Sequence, residues 1–173
     1  AVTPSVTPTL SISPSTLNAC SGSSVTFTTT STNGGSSPQY QWKINGNNVG
    51  ANSPTFTYSS LANGDVVTCV MNSNASCVTT SSVTSNAITM NVSANLIPSI
   101  SITASATNIC SGNTVTYTAT SINSGSSPQY QWYVNGSAFG TSNVFNSSAI
   151  QNNSVVSCQL TANGNCINTT PVM

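Results

Sequence analysis

Gly35-Ser36-Ser37-Pro38-Gln39-Tyr40-Gln41-Trp42 returns unchanged as Gly125-Ser126-Ser127-Pro128-Gln129-Tyr130-Gln131-Trp132, 90 residues further along a chain of 173. A period of that length divides the chain into two similar domains. In each copy a small polar turn with a proline leads into an alternating run. The period of two sets Tyr40 beside Trp42, and Tyr130 beside Trp132, on one face of a strand. Two large aromatics on a shared face predict a core at these four residues, and not an exposed platform.

Working outward, short runs with apolar residues at alternate positions recur between turn signals. Leu10 to Ser13 reads as an edge strand among prolines, after a Pro- and Thr-rich linker over residues 1–15. Val25 to Thr30, Thr55 to Tyr58 and Val66 to Met71 read as strands, and Ser85 to Val92 as the last of seven. Asn45-Gly46 is a tight-turn dipeptide, because both residues tolerate positive φ. The second copy runs the same course from Ser99, with Asn135-Gly136 at the matching turn, but has no residues opposite Ser85 to Met90. The expectation is an all-β chain of two tandem immunoglobulin-like β-sandwiches, about seven strands each, over residues 1–92 and 93–173. The second sandwich is expected to lack most of its last strand. Ala1 aligns with Asn91, so the chain is expected to be one phase of a longer array that begins at a mature or excised end.

Charge is nearly absent. Lys43 and Asp65 are the only charged side chains, and there is no histidine. A carboxylate pair, a His-assisted nucleophile and a phosphate-reading basic patch all need groups that this chain does not contain, so neither catalysis nor nucleic-acid binding is expected. One carboxylate also argues against calcium-stiffened linkers, and no cofactor is expected. No apolar run is long enough to span a membrane as a helix, and no charged segment precedes an apolar one as in a signal peptide.

The six cysteines fall three to a repeat: Cys20, Cys69 and Cys77, then Cys110, Cys158 and Cys166. Small domains with little core use disulfides in oxidising surroundings, so the cysteines point to an extracellular setting. Three cysteines per repeat without histidine do not make a tetrahedral zinc set. Any two of the three in a repeat can pair as far as the sequence goes, with a Cys69–Cys77 hairpin bridge among the alternatives. The usual inter-sheet bridge lacks its second thiol, because the second strand carries Val25 and Phe27, or Val115 and Tyr117, at the inward positions.

Cys-Ser-Gly followed by Val-Thr-Phe/Tyr-Thr, then Tyr-Gln-Trp with Asn-Gly, Leu61-Ala62-Asn63-Gly64-Asp65-Val66-Val67-Thr68-Cys69 and Thr84-Ser85-Asn86-Ala87-Ile88-Thr89-Met90 carry a resemblance over essentially the whole chain. It resembles the PKD-like, immunoglobulin-like repeats of giant secreted surface proteins of Bacteroidota. The resemblance implies long exported arrays in adhesin or gliding-associated proteins, without catalytic residues. It also implies the pairings Cys20–Cys77 and Cys110–Cys166, leaving Cys69 and Cys158 as buried free thiols. A loop with that pairing would stabilise each repeat by about 4 kcal/mol. The second copy departs at Gln151-Asn152-Asn153-Ser154, where the first has Ala62-Asn63-Gly64-Asp65.

The functional expectation is a structural repeat of an extracellular surface protein: a spacer or fibre-forming element of an adhesin, at the cell surface. Its expected partners are other copies of the same repeat. Two alternatives stand beside it. In one, the chain is the subunit of a self-assembling filament, with Val2 to Ser13 of a neighbour completing the open second sandwich. In the other it is a carbohydrate-binding module, which requires an exposed aromatic such as Tyr133 or Phe139 to stack on a surface glycan. Lys43 and Asp65 are expected as a loose surface pair, worth about 0–1 kcal/mol.

Overall fold

A computed structural model describes residues 2–168 and 170–173; Ala1, expected at the head of the linker, and Thr169 lie outside the described residues. Every regular element among the described residues is a β-strand, and the chain divides into two compact units, Ala1–Ala94 and Asn95–Met173.

The first unit contains β1 (Thr9–Pro14), β2 (Asn18–Cys20), β3 (Val25–Thr32), β4 (Gln39–Ile44) and β5 (Asn47–Val49). It continues through β6 (Thr55–Tyr58), β7 (Val66–Asn72), β8 (Ser82–Thr84), β9 (Ile88–Thr89) and β10 (Asn91–Ser93). Eight of these build the sandwich: β1-β3-β6 forms one sheet, and β5-β4-β7-β8, with β9 also paired to β7, forms the other. The pleat sends alternate residues inward, so Leu10 and Ile12, Val25 and Phe27, Trp42 and Ile44, and Val67, Cys69 and Met71 meet in one core. Threonines fill the opposite parity. β-branched and half-apolar, threonine suits a strand face that meets water.

Two expectations for this unit change. The strand expected over Ser85 to Val92 is instead β9 and β10, and a separate β8 precedes it, because polar side chains take over the ladder between β8 and β9. Ser85 Oγ accepts from the Cys69 N–H at 3.0 Å and donates to the Asn86 carbonyl at 2.7 Å. The Asn86 amide holds both the N–H and the carbonyl of Ile12, at 2.8 and 3.2 Å. Past that point Ile88 and Thr89 pair with β7 again, and from Asn91 the chain leaves β7 and runs parallel to β2. The N-terminal residues expected as a linker are in fact tied to the domain. The Val6 N–H donates to the Cys77 carbonyl and the Thr79 N–H to that of Val6, both at 2.9 Å.

The second unit repeats the plan with β11 (Ser99–Ala104), β12 (Val115–Ile122), β13 (Gln129–Val134), β14 (Ser137–Ala138), β15 (Val144–Ser147) and β16 (Val156–Thr161). Its sheets are β11-β12-β15 and β14-β13-β16, with one antiparallel bridge from Val172 to Leu160. Its core is thinner. Ile102, the counterpart of Ile12, is 37% exposed where Ile12 is 4% exposed.

The repeated motif owes its invariance to a close approach. Gly35 has φ 85° and Gly125 φ 84°, where a side chain is disfavoured. A Cβ on Gly35 would fall 2.1 Å from Asn74 Oδ1, and one on Gly125 would overlap the Asn163 carbonyl. Those same asparagines accept from the N–H groups of Ser37 and Ser127, at 3.0 and 2.9 Å. Gly46 also has positive φ, but nothing lies within 4 Å of its Cβ position. Gly46→Ala is therefore expected to cost about 1 kcal/mol from φ alone, and Gly35→Ala about 2–3 kcal/mol or more. Urea denaturation of the two variants checks this. Equal costs would show that the Asn74 contact relaxes freely.

Candidate functional site

The aromatic motif is occupied in holding the sheets together. Trp42 and Trp132 are fully buried. Each indole N–H donates to a backbone carbonyl at 2.8 Å, that of Ser53 or Ser142, so neither polar edge is left unmet. Trp42 lies 6.2 Å from Phe27 and 5.6 Å from Phe56, ring centroid to ring centroid. Trp132 keeps the same company with Tyr117 at 6.1 Å and Phe145 at 5.7 Å. Tyr40 and Tyr130 are half-buried, with hydroxyls 3.3 Å from Ser31 Oγ and 2.9 Å from Ser121 Oγ. Between them Gln41 and Gln131 point the other way. The Gln41 amide donates to the carbonyls of Trp42 and Val49, and that of Gln131 to those of Trp132 and Phe139. The Tyr-Gln-Trp run is thus a structural clamp, and its indole faces are closed to a sugar.

The cysteines depart from the expected pairing. Cys77 and Cys110 are free, exposed thiols, so neither Cys20–Cys77 nor Cys110–Cys166 is formed. Cys20 and Cys166 are the disulfide-bonded cysteines. Within the first unit the reason is distance along the sandwich. Cys20 pairs with Ser93 at the end where β7 begins, whereas Cys77 follows the turn at the end where β7 finishes. A seven-residue strand spans about 20 Å, and disulfide-linked Cα atoms lie within about 7 Å. Cys69 and Cys158 are buried free thiols, opposite Trp42 and Trp132 in their ladders. Burial pushes the Cys69 thiol from 9.0 up to about 11, and the Cys158 thiol upward as well. Thiols held neutral in this way are poor nucleophiles.

Asp65 is a loop organiser, and not one half of a loose surface pair with Lys43. Its carboxylate accepts from the Ala62 N–H and from the Asn45 side-chain amide, both at 2.8 Å. Asn45 Oδ1 in turn accepts from the Val66 N–H at 2.9 Å. The second repeat builds the same loop without charge. Ser154 Oγ accepts from the Gln151 N–H at 3.1 Å, and Asn135 Oδ1 from the Val155 N–H at 2.8 Å. The divergent Gln151–Ser154 segment therefore keeps the loop's hydrogen bonds. Its legible signal was an acceptor oxygen on the side chain at the same aligned position.

What remains for binding lies in the second unit. Phe139, the counterpart of Val49, is 53% exposed and packs one side on Phe145 at 5.8 Å. Tyr133 is half-buried, with its hydroxyl donating to Gln159 Oε1 at 3.4 Å. A cavity of about 620 Å³ opens between residues 104–117 and 150–154. Among the described residues no group of His, Cys, Asp and Glu could hold a metal ion, and no helix is long and apolar enough to cross a membrane.

Two expectations follow. The unfolded chain releases a thiol proton near pH 9, but the folded chain holds that of Cys69 to about pH 11. This contribution to stability is therefore complete below pH 9 and is lost as pH rises to 11. Cys69→Ala should flatten the decline in urea midpoint over that interval, and an unchanged decline would assign it to other groups. Asp65→Ala should cost about 1 kcal/mol, and Asp65→Ser, which copies the second repeat, about half of that. Chemical denaturation of both variants measures the difference.

No family model matches the chain, and no curated protein matches it in sequence. Among solved structures it is similar to the three N-terminal domains of the bacteriophage RB49 highly immunogenic outer capsid protein (Hoc), at 15% identity and a TM-score of 0.44. That match covers 91% of this chain and 55% of the other, so the chain spans about half the length of the phage structure. It is also similar to the fibronectin(III)-like modules of Clostridium thermocellum CbhA, at 15% identity and a TM-score of 0.41, covering 93% of this chain and 90% of that one.

Proposed function

We propose that the chain is a non-catalytic structural repeat of a long extracellular surface protein, acting as a spacer or fibre-forming element of an adhesin. The observation that carries this reading is the use to which each repeat puts its distinctive side chains. Both tryptophans, both motif glutamines and the one carboxylate are engaged inside their own domain. The functional groups are spent on the scaffold. A surface of serine, threonine and asparagine meets water without electrostatic steering, so contacts with other copies of the repeat rest on apolar patches and neutral hydrogen bonds. The disulfide-bonded Cys20 and Cys166 support an oxidising compartment, hence the cell exterior.

Immunogold electron microscopy of the source cells tests the proposal. Label on intact cells, following strands or beads away from the envelope, is the expected result. Label that appears only after permeabilisation would overturn it.

A further inference from the structure

What the first unit offers a ligand is one whole sheet face and not a single group. The outward positions of β3 are Thr26, Thr28, Thr30 and Thr32, since Val25 and Phe27 take the inward parity. Their neighbours across the ladders continue the pattern. Ser13 and Thr55 flank Thr28, Ser11 stands beside Thr30, Thr9 beside Thr32, and Thr57 beside Thr26. Every outward side chain of the β1-β3-β6 sheet therefore carries a hydroxyl. All but Thr26, which is half-buried, are exposed. The hydroxyls also meet across the strands: Thr9 Oγ1 lies 2.6 Å from Thr32 Oγ1, and Thr26 Oγ1 lies 2.9 Å from Thr57 Oγ1.

Strand propensity does not account for this uniformity. It would act equally on the other outer face of the same sandwich, where β4 and β7 present Gln39, Gln41, Lys43, Thr68, Val70 and Asn72. In the second unit β12 keeps Thr116, Thr118 and Thr120. At the margins, however, Ile122, Val144 and Asn146 stand where the first unit has Thr32, Thr55 and Thr57. The hydroxyl grid belongs to one sheet of the sandwich, and it is complete in the first unit.

The ladders fix the repeat of the grid. Neighbouring strands lie about 4.8 Å apart, and outward residues follow one another about 6.8 Å apart along each strand. A neutral hydroxyl gains little from a dissolved ligand, because water competes for each bond. An array of them gains most from a solid surface that repeats at matching intervals and engages many hydroxyls at once. We propose that the outer face of the β1-β3-β6 sheet is an ice-binding surface. Water molecules on a prism plane of ice repeat in two directions at spacings close to those of the grid. The lattice offers donors and acceptors in turn, as serine and threonine do. Charge agrees as well: the face holds no charged side chain, and ice has none to pair with. Desolvation separates ice from a crystalline polysaccharide. A polysaccharide must strip the water from these hydroxyls at a cost, whereas water held on the face becomes the outermost layer of the ice itself. The inference goes beyond the spacer reading, and neither depends on the other.

The test freezes part of a cooled solution of the full chain onto a cold probe and compares the protein in the ice with that left in the liquid. Growing ice rejects ordinary solutes, so enrichment of the chain in the ice fraction is the expected result. Thr28→Lys, at the centre of the grid, should lower that enrichment by about tenfold, the equivalent of one or two neutral hydrogen bonds. Thr84→Lys, which places the same charge on β8 of the opposite sheet, should leave it unchanged. Both substitutions fall at exposed positions, and an unchanged tryptophan emission and urea midpoint will show that the variants are folded. Rejection of the chain by ice, or equal enrichment of the Thr28→Lys variant, would overturn the proposal. Retention on crystalline cellulose by a chain that ice rejects would also overturn it, and would give the face to a glycan.

Discussion

Each sandwich depends on one buried indole. Trp42 and Trp132 stand on the central strand of one sheet and press against two aromatics of the other, while the indole N–H reaches a loop carbonyl. Burial of a side chain this large is the main apolar gain in a domain of this size, and the hydrogen bond removes the penalty of burying its polar edge. The surrounding motif follows from that placement. The tight glycine turn brings the strand in under an asparagine, the tyrosine ends in a serine contact, and the glutamine ties the strand to its hairpin partner. A repeat that keeps the tryptophan must keep its frame, which accounts for eight identical residues in succession.

The near-absence of charge shapes the rest. Apart from the Asp65 carboxylate, the side chains that tie the loops described above are neutral donors and acceptors. The comparison of Asp65 with Ser154 shows how little the loop needs a carboxylate, since a hydroxyl at the same place accepts the same kind of N–H. The two inner thiols behave alike. They sit opposite the tryptophans as small apolar groups, and burial keeps them protonated. Chemistry is suppressed in favour of packing.

The first unit also shows what a closing segment contributes. With Asn86 and Met90 in place, Ile12, Leu61 and Val67 are buried. The same segment gives β2 its parallel partner, β10, so a stretch of only three residues, Asn18–Cys20, becomes a strand through a contact more than 70 residues away along the chain.

The amino-acid sequence alone determined the elements that local periodicity encodes. Alternation placed β3, β4, β6 and β7 and the inward parity of Trp42 and Cys69, and Asn-Gly placed the hairpins, because pleat and positive φ are properties of neighbouring residues. Tertiary structure decided what depends on which remote segments meet. It set Cys20 and Cys77 at opposite ends of a strand, tied Val6 to the turn at Cys77, and split the last strand around the side chains of Ser85 and Asn86. Spacing along the chain carries no record of distances across a sandwich, and those distances govern disulfides and buried hydrogen bonds alike.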